Sequence, residues 1–218
     1  MKSVLKSMVL TCFLMLFAFS ASISYAVLWD FNDDDQEDDW KPISGVCEID
    51  KDGTYKISDP AGEALVVAGD ANWTDYTITC KARLTEPAGF NNIAIAFRAT
   101  EDGASEYMLM FEGGRQQGEW WKKIAGAYTE IKVDPLDVDL KDWFNIRVVI
   151  EGNTFEGYYN DEFISSIEDS DLKEGKVGAR IYGCTSHIDD FDVNGPGIPL
   201  TSVEPFGKLT ATWGEIKK

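Results

Sequence analysis

Arginine, glutamate and aromatic residues recur at alternate positions of several short apolar runs, and alternate positions are what an extended strand turns to one face. In NNIAIAFRAT, Ile93, Ile95 and Phe97 point one way and Ala94, Ala96 and Arg98 the other. Two small side chains leave room for a ligand, and the Arg98 guanidinium supplies a rigid fork of donors. EYMLMFEGG sets Tyr107, Leu109 and Phe111 toward a core and Glu106, Met108, Met110 and Glu112 opposite. Of the adjacent Trp120 and Trp121, one must leave the core. KVGARIYG places Gly178, Arg180 and Tyr182 together, and Tyr128 ends a Gly-Ala-Tyr triplet. This is the equipment of a neutral-sugar site: a ring stacks on the apolar face of a pyranose while charged groups hydrogen-bond its hydroxyls. The plain alternative for each residue is ordinary amphipathic sheet surface.

Two acidic clusters suggest a second chemistry. Asp33 to Asp39 is a charged run between Phe31 and Trp40, and Asp189, Asp190 and Asp192 lie near the end of the last strand. Hard cations take clustered oxygens from flexible loops. A structural calcium on Asp33, Asp35 and Asp190, joining the two ends, is therefore an expectation beside the simpler one of a solvated loop. His187 is the single histidine. Its neighbours Ser186 and Asp189 are too close along one strand to face it as a triad must, so it reads as a loop or strand-edge residue. Glu48-Ile49-Asp50 superficially resembles the alternate-carboxylate strand of laminarinase-type glucanases, but the third carboxylate, Asp52, falls in the turn.

The positioning elements are strands. Phe144, Ile146, Val148 and Ile150 alternate with Asn145, Arg147 and Val149, and turns at Gly152-Asn153, Asn160-Asp161 and Glu174-Gly175 mark out a meander. VCEIDKDGTYKIS is a hairpin turned at Asp52-Gly53. ALVVAGD and TDYTITCKARL are further strands, and Glu86-Pro87-Ala88-Gly89 is a turn before NNIAIAFRAT. So many half-apolar strands need a second sheet to cover them, which predicts an all-β, antiparallel two-sheet sandwich.

The ends read differently. Lys2 and Lys6 precede an apolar run from Met8 to Phe19, and Ser24-Tyr25-Ala26 supplies the small residues of a cleavage site. The run is shorter than the roughly 20 residues of a membrane span. Residues 1–26 are thus expected to be a signal peptide, 27–194 the sandwich, and 195–218 a linker and short tail whose Leu209, Trp213 and Ile216 could dock to another protein. The expected location is periplasmic or extracellular. Removing two lysines and no acid takes the formal charge from −18 to −20. Such a charge repels phosphate backbones and anionic lipid, which argues against nucleic acid and membrane insertion and favours neutral or cationic partners and divalent cations. Cys47, Cys80 and Cys184 are an odd set whose pairing spacing does not assign; Cys80 alternates with apolar residues and reads as core.

NNIAIAFRAT, EYMLMFEGG, GAYTEI, DWFNIRVVIEGNTFEGYYNDEFISSIED and GKVGARIYGCTSHIDDFDV resemble the successive strands of concanavalin A-like lectin/glucanase jelly rolls. The similarity is to the LamG-like or exo-inulinase-like module and its relative, the 3-keto-disaccharide hydrolase domain. It implies two curved sheets with carbohydrate recognition on the concave face or loop rim. In the hydrolase relative the matching positions would include Asn92, Arg98, Glu106 and Tyr128; Ala94 and the order Glu106-Tyr107 depart from that pattern. Two function classes follow. One is a carbohydrate-binding or adhesive module without catalysis, using Asn92, Arg98, Glu106, Glu112, Trp120, Trp121, Tyr128, Arg180 and Tyr182. The other is a glycan-active hydrolase or lyase with Glu106 or Glu112 as general acid/base. A structural surface protein with no glycan ligand is a third.

Overall fold

The computed structural model describes residues 26–199. The expected signal peptide, apart from Ala26, and the tail from residue 200 onward lie outside them. Twelve strands alternate with tight turns: β1 (Ala26–Trp29), β2 (Lys41–Ser44), β3 (Val46–Ile49), β4 (Tyr55–Ala68), β5 (Tyr76–Ala99), β6 (Glu106–Glu112), β7 (Gln117–Ile124), β8 (Ala127–Pro135), β9 (Phe144–Glu151), β10 (Thr154–Tyr159), β11 (Glu162–Glu168) and β12 (Lys176–Asn194). All pairings are antiparallel, as the alternating sequence requires.

Long strands shared between two layers set the architecture. The first half of β5 pairs with β9 from Tyr76 to Ala82, and its second half pairs with β6 from Asn92 to Phe97. β12 runs beside β5 along both halves and is flanked by β4 and, at its end, by β1. One layer therefore reads β11-β10-β9-β5-β12-β1. The other reads β8-β7-β6-β5-β12-β4-β2. This corrects the expected turn at Glu86–Gly89: the chain passes through it as strand and changes layer. The matching bend in β12 is a bulge at Gly183, whose φ of +66° favours glycine and where the register shifts against both neighbours. The expected hairpins at Gly152-Asn153 and Asn160-Asp161 stand, the latter with φ of +48° and +66° as a tight two-residue loop needs. The expected meander ends there: after Glu174-Gly175 the chain does not return beside β11 but enters between β5 and β4 as β12.

Between the layers lies the core. Ile93, Ile95, Phe97, Tyr107, Leu109 and Phe111 from one layer meet Ile78, Phe144, Ile146, Val148 and Phe155 from the other. At one end Trp29, Phe31, Trp40, Tyr55 and Phe191 pack edge-to-face and tilted, with centroids 5.0 to 6.1 Å apart. The acidic run between Phe31 and Trp40 is a 3-10 helix, Asp34–Asp39, rather than an irregular loop, with the Asp33 carboxylate capping it. Cys47, Cys80 and Cys184 are free thiols; Cys80 is buried, as its alternation predicts.

Candidate functional site

The outer face of the β8-β7-β6-β5-β12-β4-β2 layer carries the site. Register stacks its outward residues into rows across the strands. Arg180 of β12 lies opposite both Ala94 of β5 and Leu65 of β4, and Ala94 opposite Met110 of β6. One pleat along, Gly178, Ala96, Met108 and Trp121 are aligned; one pleat the other way, Glu63, Tyr182, Asn92 and Glu112. The small residues Ala94, Ala96 and Gly178 clear the middle of this face, and larger ones rim it.

Arg180 fills the floor. One of its terminal nitrogens contacts Glu106 Oε1, and the other contacts Glu63 Oε2 and the Tyr128 hydroxyl. The Tyr128 hydroxyl also donates to Glu63 Oε2 at 2.6 Å. Lys123 completes the set, 3.8 Å from Glu63 and 5.2 Å from the Tyr128 ring centroid. Two cations thus face two carboxylates. Burial pushes the Glu106 carboxyl up to about 8, against the pull of Lys123, and takes the Arg180 guanidinium down to about 10. The direct contact between them opposes both shifts and favours the charged pair. Burial, then the Glu106 charge, raise the Tyr128 phenol to about 12, so it remains a neutral donor. Glu106 is fully buried, and its Oε2 has no hydrogen-bond partner.

Above this floor opens a cavity of about 260 Å³. Phe90, Trp121, Tyr128 and Tyr182 supply aromatic walls, Met108 and Met110 a soft base, and Glu63, Asn92 and Arg180 the polar groups. Phe90 and Tyr182 meet edge to face at 5.3 Å. The orientation of Trp121 is fixed from behind: its indole N–H donates to Glu119 Oε2 at 2.7 Å, and Gln117 donates to Oε1 of the same buried carboxylate at 2.9 Å.

The structure therefore brings Asn92, Trp121, Tyr128, Arg180 and Tyr182 together as cavity lining and sets Glu106 directly beneath. Three expected site residues are placed elsewhere. Arg98 does not floor the groove: its φ of +48° breaks the alternation and turns the side chain inward. There it donates to the carbonyls of Leu172 (2.9 Å), Thr74 (2.9 Å) and Gly152 (2.6 Å) and lies over the Phe155 ring. Trp120 is fully buried, with its indole N–H on Ser165 Oγ at 3.0 Å. Glu112 is buried at the end of the face, engaged by Arg115 and the Gly114 amide, and is not part of the lining.

Glu63, Phe90 and Glu119 were missed by the sequence reading. Glu63 was accessible to it, because it alternates with Leu65 and Val67. Phe90 carried no periodic signal.

The acidic clusters are engaged separately. Asp33 accepts the Asp35 amide at 3.2 Å, and Asp190 pairs with Lys81 at 2.5 Å. Among the described residues, the side chains grouped closely enough to share a metal ion are Asp50, Asp52 and His187, not Asp33, Asp35 and Asp190. His187 is not at a strand edge: it sits within β12, paired with β4 and β5 on either side, and is buried.

Residues 28–190 match the model of the 3-keto-alpha-glucoside-1,2-lyase-like domain. The chain belongs to this family. A levanase of Bacillus subtilis (strain 168) is 21% identical over 147 residues, which are 67% of this chain and 21% of the levanase, so the chain spans about a fifth of that protein. Among solved structures, a carbohydrate-binding module (CBM66) from Bacillus subtilis superposes with a TM-score of 0.67 at 18% identity, over 72% of this chain and 96% of the module. The Bacillus licheniformis β-glucanase gives 0.57 at 12% identity, over 78% and 97%. These likenesses show the jelly-roll fold that the strand pattern predicts, and the family is the one its motifs resemble.

Proposed function

We propose that this chain is a carbohydrate-binding module that receives a neutral sugar in the cavity above Arg180. The observation that carries this reading is the charge-balanced floor beneath aromatic walls. Arg180 and Lys123 are matched by Glu63 and Glu106, so the site offers directional hydrogen bonds without net charge. Trp121 and Tyr182 supply faces on which the apolar side of a pyranose or furanose can rest. Family membership and the likeness to a carbohydrate-binding module support the reading. The expected signal peptide supports a location outside the cytoplasm for such a module.

The test is a screen of neutral and acidic polysaccharides by affinity electrophoresis, with Trp121→Ala as control. Retarded migration on a neutral polysaccharide, lost in the variant, is the expected result. Retardation by none, or only by acidic polymers, contradicts it.

One observation favours a second reading, a lyase or hydrolase acting on a keto-sugar. Glu106 combines a raised pKa with an oxygen that has no partner, and those are the properties of a general acid/base. Turnover of a 3-keto-glucoside that Glu106→Gln abolishes would establish it.

A further inference from the structure

We propose that the cavity above Arg180 is one end of a longer groove: a second cavity, at the rim of the sandwich, receives a further sugar of the same neutral oligosaccharide, which passes over Arg115 between the two. The proposal rests on the reading of the first cavity as a sugar site. The rim cavity has a volume of about 360 Å³ and opens where β5 changes layer. Its walls are Leu84 and Pro87 of β5, the Gly113-Gly114 turn after β6, and residues 138–141 before β9. The two cavities adjoin along β5 and β6. Asn92 and Met110 line the first, and Asn91 and Gly113 line the second. Met110 to Gly113 is three residues of extended chain, about 10 Å. A short oligosaccharide spans that distance and a single sugar does not.

Arg115 is held between them from beneath. Its Nε donates to Glu112 Oε2, and its Nη2 lies 3.5 Å from Glu119 Oε1. The two glutamates are 3% and 0% exposed, whereas the Arg115 side chain is 52% exposed. Burying two carboxylates costs stability unless each is well satisfied. Here they orient a guanidinium at the surface, and Glu119 at the same time fixes the Trp121 wall of the first cavity. Nη1 has no partner among the described residues, which leaves two N–H donors for a ligand. Gly114 shares the support. Its amide donates to Glu112 Oε1 at 3.0 Å, and a Cβ there would lie 2.9 Å from that oxygen, so glycine lets the turn close on the carboxylate.

The rim cavity is pre-organised. Gln116 donates to the carbonyls of Gly113 (2.7 Å) and Val138 (2.9 Å) and accepts the Val138 amide (2.9 Å), which ties the β6–β7 turn to residues 138–141. The Tyr159 hydroxyl accepts the Asp139 amide and donates to the Asp139 carbonyl, each at 3.1 Å. Walls fixed in this way reduce the ordering cost of binding. Leu84, Val138 and Leu140 make the surface apolar, and the exposed Asp139 and Lys141 add polar groups. Asp139 Oδ1 accepts the Lys141 amide at 3.0 Å, while Oδ2 and the Lys141 ammonium have no partner among the described residues. One cation with one carboxylate repeats the charge balance of the first cavity, which suits the hydroxyls of a neutral sugar.

The chain is titrated by calorimetry with a size series, monosaccharide to hexasaccharide, prepared by partial acid hydrolysis of the neutral polysaccharide that retards it. Wild type is compared with Lys141→Ala, Arg115→Gln and Trp121→Ala. In wild type, Kd should fall about tenfold or more from the shortest ligand to the longest, the effect of added hydrogen bonds to charged groups. Lys141→Ala and Arg115→Gln should each cut that ratio to about threefold or less. A ratio within one protein is insensitive to a general loss of folded material, so it separates a ligand contact from a structural effect. Trp121→Ala should weaken every member of the series. Affinity that does not depend on length, or a length gain that survives both the Lys141 and Arg115 substitutions, overturns the second cavity and leaves the first standing. Absence of binding to every member overturns both.

Discussion

Glu119 holds Trp121 by a 2.7 Å hydrogen bond to the indole N–H, and by doing so decides which surface of the ring the cavity sees. Glu119 is itself fully buried. It acts on a ligand only through Trp121, and its own position is set by Gln117 at 2.9 Å and Arg115 at 3.5 Å. Trp121→Ala should therefore weaken saccharide binding about tenfold or more, as loss of a central aromatic anchor does. Glu119→Gln should weaken it less, and Trp121→Phe, which keeps a ring but discards the N–H, should lie between wild type and Trp121→Ala. Calorimetric Kd values for the three variants check the order.

Arg98 is a structural residue and should behave as one. Its guanidinium serves three backbone carbonyls from different loops, so removing it leaves those carbonyls unmatched inside the protein. Arg98→Met should cost about 3 kcal/mol or more, which lowers Tm by about 6–12 °C for a chain of this size. Below the transition the variant should bind saccharide like wild type. A normal Tm with lost binding would return Arg98 to the site.

Asp169 gives the pH dependence. Burial alone would raise its carboxyl, but hydrogen bonds from Lys122 (2.5 Å) and Tyr107 (2.5 Å) outweigh that and hold it below the usual carboxylate range. A depressed folded-state pKa contributes stability that is fully present above the unfolded value, near 4, and is lost as pH falls through the folded value. Asp169→Asn should therefore be less stable than wild type at pH 7, with the gap narrowing between about pH 5 and pH 2. Urea unfolding across that range measures it, and a gap independent of pH would contradict the assignment.

Legibility from sequence followed the physical period. Where alternation ran unbroken, as through Ile93–Ala96, Tyr107–Phe111 and Gly178–Tyr182, the face of each residue was readable, and Arg180 and Tyr182 were found that way. The same rule failed at Arg98, because a left-handed backbone there inverts the alternation and nothing in the residue type announces it. Of the Trp pair, alternation said that one must be outward but not which; register with Met108 makes it Trp121. The Glu86–Gly89 segment reads as a turn by composition, yet strand pairing along β12 on both sides carries it straight through. The Arg180–Glu63–Glu106 contacts join three strands far apart in the chain, and His187 meets Asp50 and Asp52 across more than a hundred residues. Such contacts depend on register between distant strands, which local spacing does not encode.

The most direct test of the central claim is calorimetric titration of the chain with the neutral polysaccharide that best retards it, comparing wild type with Trp121→Ala and Tyr182→Ala. The cavity above Arg180 predicts saturable binding in wild type and its loss in both variants, with their melting temperatures within about 2 °C of wild type. Binding that survives both substitutions, or wild-type protein that binds no neutral saccharide, would contradict it.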